Sequence, residues 1–194
     1  MSSVHAFFPE ARSRKLPASP TVLVLVDFIN PMEFPGADKL LKSAYPAALA
    51  AARLKQRLSA RGVAAIYAND NYGIWHSDFK ELLTACKALP GRRGEIASLL
   101  APAECDLTIL KPRHSAFHST PLEHLLKELK TKELVIAGLS TDMCVHLTAM
   151  DAYMHGYKVW VPSDCTAAES AVSKDAALRQ MARVFKCSVR KAGT

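Results

Sequence analysis

The sequence predicts an α/β protein: a three-layer α/β/α sandwich around a mostly parallel sheet of about six strands. Two observations carry this. Short apolar, β-branched runs recur along the chain, and amphipathic helical segments separate them. A strand buried on both faces reads as a continuous apolar run, which is the mark of a parallel sheet covered by helices. Strand-helix alternation then selects the sandwich.

The strands follow in order. "TVLVLVD" carries an apolar run from Val22 to Val26 that stops at Asp27. "VAAIYAND" covers Val63 to Asp70, "LTILK" Leu107 to Lys111, "ELVIAG" Glu133 to Gly138, and "KVWV" Lys158 to Val161. "KCSVRK", Lys186 to Lys191, is a weaker sixth candidate.

Between them lie the helices. Pro46 to Gly62 repeats Ala47, Ala51, Leu54 and Leu58 on one face, with Gly62 as the stop. In "STPLEHLLKEL", Thr120 is a cap, Pro121 suits the first helical position and Glu123 completes a capping box. Cys144 to Gly156 is apolar on nearly every face, which predicts deep burial. "VSKDAALRQMARVF" is the last helix.

Residues 1–20 read as an arm without regular structure, and residues 21–194 as one domain without repeats or linkers. The arm lacks the uninterrupted apolar core of a signal peptide. No apolar run approaches the length of a membrane span, so no membrane partner is expected. The net charge of +7 is dispersed, with no block of like charges and no basic stripe interleaved with aromatics. A solvated basic surface is expected rather than a nucleic-acid interface. The cysteines are 86, 105, 144, 165 and 187, scattered without a C-x-x-C pair. An odd count without a signal peptide points to a reducing, cytoplasmic setting.

Ligands in open parallel sheets bind at the carboxyl ends of the strands. Three chemistry-bearing residues end strands here: Asp27, Asp70 and Lys111. The fourth strand runs through Gly138 and a short turn to Cys144, in the first turn of a helix. Each residue alone has an ordinary explanation in packing, capping or solvation. Together they place a carboxylate, an ammonium and a thiol at one sheet edge. A helix N-terminus and an ammonium both lower a thiol's pKa, so Cys144 is expected to be the most reactive of the five thiols. A carboxylate beside it is able to take the thiol proton and return it to a leaving group.

The stretches "LVLVDFIN", "LKPRHSAF", "VIAGLSTDMCVHLTAMDAYMHGYKV" and "PSDCTA" resemble the isochorismatase-like cysteine hydrolases, in family order, from Thr21 to Lys191. The resemblance implies a catalytic triad of Asp27, Lys111 and Cys144. It implies a non-proline cis peptide between Leu139 and Ser140, and an oxyanion hole built from the Ser140 and Cys144 N–H groups. It implies a homo-oligomer acting on a small-molecule substrate. The leading expectation is hydrolysis of a small amide or carbamoyl C–N bond through a thioester. The alternatives are vinyl-ether hydrolysis of the isochorismatase type and a non-catalytic binding protein on the same fold. Cys144 favours acyl chemistry, because vinyl-ether protonation needs an acid rather than a thiol.

Substrate contacts are expected from Phe28 and Asn30 beside the acid, Tyr72 and Trp75 in the loop after the second strand, and Phe117. His76, His114 and His118 are further candidates. No cofactor or metal is expected. Nicotinamidases of the family carry an Asp-x-His motif after the second strand that helps hold a metal, and here the stretch reads Asp70, Asn71, Tyr72. A phenol, with a pKa near ~10, is a poor ligand at neutral pH.

Overall fold

The computed structural model describes residues 16–76 and 78–193. In chain order the elements are β1 (Thr21–Val26), α1 (Ala37–Ser59), β2 (Ala64–Asp70), α2 (Phe79–Lys87), α3 (Arg92–Leu99), β3 (Leu107–Lys111), α4 (Leu122–Glu128), β4 (Glu133–Leu139), a π-type turn (Thr141–Val145), α5 (His146–Met154), β5 (Lys158–Trp160), β6 (Thr166–Ala167) and α6 (Ala171–Arg183).

The sheet has six strands in the order β3-β2-β1-β4-β5, and β6 pairs with β4. Every pairing is parallel. β1 alternates its side chains between two cores. Leu23 and Leu25 face α1, α2 and α3, while Val22, Val24 and Val26 face α4, α5 and α6. Burial on both faces is why β1 lacks the polar alternation of a half-exposed strand. The strand order reverses between β1 and β4, so the ends of these two strands flank the switch point where a crevice opens.

Several elements differ from expectation. α1 starts at Ala37, with Pro46 inside it. Pro46 lacks only its own N–H, and the buried stripe Ala37, Leu40 and Ala44 anchors the turns before it. At its far end the Val63 N–H returns to Leu58 O across Gly62, whose φ is +73°. The Thr120 capping box does not form. Thr120 Oγ1 accepts from Leu122 N–H, and Glu123 pairs with Lys127 instead. Residues 186–191 form no strand. They contribute one bridge, Ser188 to Trp160, and the sixth strand is Thr166–Ala167. α2 and α3 were not foreseen; both are short, and only two side chains of each are buried.

The 144–156 segment is less buried than its composition suggests, with Tyr153 and Met154 exposed. The last residues assigned to the arm belong to the fold. Ser19 is buried, its N–H donates to Leu129 O (2.7 Å), and its Oγ accepts from Ala64 N–H (2.9 Å). Residues 1–15 lie outside the described residues. Among the described residues no helix is long and apolar enough to cross a membrane.

Candidate active site

The end of β1 turns sharply at Asp27, whose φ is +50°. Its Oδ1 accepts the Asp70 N–H at 2.8 Å, tying the ends of β1 and β2 together. Its Oδ2 lies 2.7 Å from Lys111 Nζ, at the end of β3. Lys111 is fully buried and Asp27 nearly so. A buried ammonium requires such partners, because desolvating an unpaired charge costs several kcal/mol or more. Asp70 supplies a second carboxylate, 3.7 Å from Nζ.

Cys144 arrives from the other side of the switch point. β4 ends in a cis peptide between Leu139 and Ser140. The chain then makes one π turn, with Val145 N–H donating to Ser140 O at 3.1 Å. Two buried hydroxyls fix that turn: Thr166 Oγ1 donates to Gly138 O (2.7 Å) and shares a hydrogen bond with Thr141 Oγ1 (2.9 Å). Thus "PSDCTA" contributes the threonine that anchors the cysteine turn. Gly138, with φ +149°, lies against β1; a Cβ there would meet Val26 O at 2.1 Å.

The Cys144 thiol then sits 3.8 Å from Lys111 Nζ and 3.6 Å from His114 Nδ1, within the electrostatic reach of the Asp27 carboxylate. Ser140 N–H donates to no backbone carbonyl among the described residues, and the Cys144 N–H donates to none outside its own turn.

The electrostatics correct one expectation. Burial, and next the Asp27 carboxylate, push the Cys144 thiol up to about 12, against the smaller opposing pull of Lys111. Burial also raises Asp27, with Lys111 pulling the other way. Lys111 is raised: burial is the largest influence and opposes its charge, but Asp27, Cys144 and Asp70 together outweigh it. One ammonium already faces two carboxylates, so a thiolate would be a third anion beside a single cation. The surroundings therefore favour the thiol form of the cysteine.

These groups open onto a cavity of about 490 Å³ whose wall includes Asp27, Asn30, Tyr72, His114, Ser140 and Cys144. Asn30 and Tyr72 thus stand where expected. Phe28, Trp75 and Phe117 do not. Phe28 is fully buried in the core under α1, Trp75 is 78% exposed outside the cavity, and Phe117 stacks on His155 at 5.0 Å. His118 lines a different hollow, beside Arg113 and Asp151. His76 is exposed and outside the cavity wall. The cavity also takes Phe34, Asp142, Met143 and Glu169, which sequence reasoning did not single out. Asp142 and Met143 lay in a quoted motif beside Cys144, and that adjacency was the available signal. Glu169 carries no such local mark.

The donors after β2 do not suit a divalent ion. Asp70 Oδ1 accepts Tyr72 N–H (2.6 Å) and its Oδ2 faces Lys111, while Asn71 Oδ1 accepts Gly73 N–H (2.9 Å). Among the described residues no group of three or more His, Cys, Asp or Glu side chains is placed to hold a metal.

Comparison with known proteins agrees with this architecture. The family model described as "Isochorismatase domain" matches residues 21–190. The chain belongs to the isochorismatase family. It is 36% identical to the isochorismatase family protein YaaI of Bacillus subtilis (strain 168) over 163 residues, 84% of this chain and 89% of that one. It is 34% identical to the ureidoacrylate amidohydrolase RutB of Klebsiella pneumoniae subsp. pneumoniae over 92 residues, 47% of this chain and only 39% of RutB. Among solved structures it resembles the nicotinamidase SaPncA of Staphylococcus aureus, with TM-score 0.69, 22% identity, and 89% of this chain and 98% of that chain covered. The isochorismatase family is one of hydrolases, and these relatives include amidohydrolases.

Proposed function

We propose that this isochorismatase-family protein is a cysteine-dependent hydrolase of small amide or carbamoyl compounds, working through a thioester. The observation that carries the reading is the Lys111 ammonium, 2.7 Å from Asp27 and 3.8 Å from the Cys144 sulfur, just behind the cavity wall that Asp27 and Cys144 line. The amidohydrolase names among its relatives support the same bond class.

The reaction follows from the protonation states. Cys144 Sγ attacks the amide carbon while its proton passes to the Asp27 carboxylate. Lys111 compensates the negative charge throughout. The oxyanion formed at the carbonyl oxygen is held by the Ser140 and Cys144 N–H groups. The C–N bond breaks, and Asp27 delivers its proton to the departing nitrogen, releasing amine or ammonia. Water then adds to the thioester as Asp27 takes its proton. Collapse expels sulfur, which recovers the proton from Asp27 and leaves a carboxylic acid. A raised carboxyl and a raised thiol suit this shuttle, because Asp27 must both accept and release a proton in each half-reaction.

A panel of small amides, N-carbamoyl compounds and isochorismate, followed by ammonia and product release, tests the proposal. Acid-quenched turnover should leave an acyl group on the Cys144 peptide in mass spectra, and Cys144→Ala should abolish both signals. Turnover of isochorismate alone, undiminished in Cys144→Ala, would replace this reading with vinyl-ether hydrolysis.

A further inference from the structure

We infer that the cavity selects small neutral or cationic amides and rejects amides that carry a carboxylate. The inference rests on the amidohydrolase reading above, and it concerns the part of the substrate remote from the scissile bond.

The protein is basic overall, with a net charge of +7, yet its candidate active site is lined the opposite way. Among the described residues, Asp27, Asp70, Asp142 and Glu169 are on the wall, and no lysine or arginine is. The ammonium just behind the wall, Lys111, is already within 4 Å of both Asp27 and Asp70 and has no exposed surface. It therefore has no charge to spare for a substrate carboxylate. Among the described residues His114 is the one histidine on the wall, and its Nδ1 is directed at the Cys144 sulfur. Asp142 and Glu169 have no ion-pair partner among the described residues. The base that feels Asp142 is His146, which burial holds below its ordinary pKa and so keeps neutral. Lys39 and Arg93 line a separate hollow, where Arg93 faces Asp38 at 3.5 Å.

Glu169 is also placed by the backbone. Its carboxylate packs against Gly36, where an added Cβ would meet Oε2 at 2.5 Å. Gly36 is the residue before α1, and its φ of +90° is a conformation that favours glycine. Carboxylates on the wall of a cleft repel an anionic ligand and concentrate a cationic one. Asp142 and Glu169 are exposed, so the effect is screened by salt.

Three primary amides of matched length separate the possibilities: butanamide, 3-aminopropanamide and succinamate, which end in methyl, ammonium and carboxylate. Binding is read by NMR titration on full-length Cys144→Ala protein, and turnover by ammonia release from the wild type, both at neutral pH. Succinamate should bind and turn over at least about tenfold worse than butanamide, and 3-aminopropanamide at least as well as butanamide. The Asp142→Asn/Glu169→Gln double variant should narrow the succinamate deficit severalfold, and so should high salt. Succinamate handled as well as butanamide, a deficit unchanged in the double variant, or no binding of any of the three overturns the inference. If the binding order holds while no amide is hydrolysed, the charge selection stands and the amidohydrolase reading fails.

Discussion

Lys111 Nζ lies 2.7 Å from Asp27 Oδ2, and neither residue has more than a trace of exposed surface. The pair joins the end of β3 to the end of β1, across β2. Folding and the proposed chemistry therefore depend on the same contact. Lys111→Met removes the charge but keeps most of the volume, and it leaves Asp27 buried without its compensating ammonium. Losing one partner of a buried pair costs about 3–5 kcal/mol, so the variant should show a clearly lower urea midpoint. Asp27→Asn should unfold later than Lys111→Met, because Asp70 still faces the buried ammonium whereas Lys111→Met leaves two carboxylates without their cation, yet it should lose kcat by a factor on the order of 10³ or more. If Lys111→Met unfolded at the wild-type midpoint, the pair would have no structural weight.

The pH profile should have an acid limb and no thiol limb. Asp27 must be ionised to accept the thiol proton, so activity falls as pH drops through its pKa in the folded protein. Burial raises that pKa. The acid limb of kcat/KM should accordingly lie above the ordinary aspartate value near ~4. Cys144 is pushed up to about 12, so its ionisation should leave no inflection between about pH 8 and 9, where an ordinary thiol titrates. A rise in rate centred near pH 8.5 would show that a preformed thiolate is the nucleophile.

Alkylation should follow exposure. Cys105 is the exposed cysteine, whereas Cys86, Cys165 and Cys187 are buried. Burial raises those three to about 11, about 12 and about 11. Cys144 is partly exposed, but it is held as a thiol. Brief iodoacetamide treatment at neutral pH should label Cys105 first without loss of activity, and slower labelling of Cys144 should track inactivation. Peptide mapping that finds Cys144 modified ahead of Cys105 would restore the lowered thiol pKa expected from the sequence.

Gly138→Ala should disable the protein without touching a polar group. The added methyl would meet Val26 O at 2.1 Å and Val26 Cβ at 2.8 Å, and the backbone φ of +149° disfavours any side chain. β4 must then move away from β1, and Cys144 moves with it. A loss on the order of 2 kcal/mol or more is expected, by denaturant titration, together with loss of turnover. Unchanged stability would mean that the β1–β4 contact yields more easily than its burial suggests.

Much of the scaffold was legible because its signals are local. β3 coincides with the run Leu107 to Lys111, and β1 and β4 agree with their runs to within a residue. Asp27 and Lys111 stood out as a carboxylate and an ammonium at strand ends, and Cys144 as a thiol one turn past another. The aromatic walls were misjudged because a loop side chain has no period to tell which way it faces. Phe28 turned into the core, Trp75 into solvent and Phe117 onto His155, while Phe34 and Met143 took the cavity wall. The sixth strand was misplaced because two residues, Thr166 and Ala167, are too few to show alternation, and only pairing with β4 makes them a strand.

The sequence by itself determined the layered α/β architecture and the Asp, Lys and Cys at one sheet edge, since apolar runs, helical stripes and strand ends are properties of neighbouring residues. The motifs around these residues were enough to mark the family resemblance. Only the tertiary structure decided the charge state of that edge. Whether a thiol near an ammonium ionises depends on how much water is removed and how many carboxylates share the cation. Asp27, Asp70, Lys111 and Cys144 come from four different strand ends, and their mutual distances and burial exist only once the sheet has assembled. Desolvation and Coulomb interactions act through space, so the chain order that reveals the strands carries no record of them.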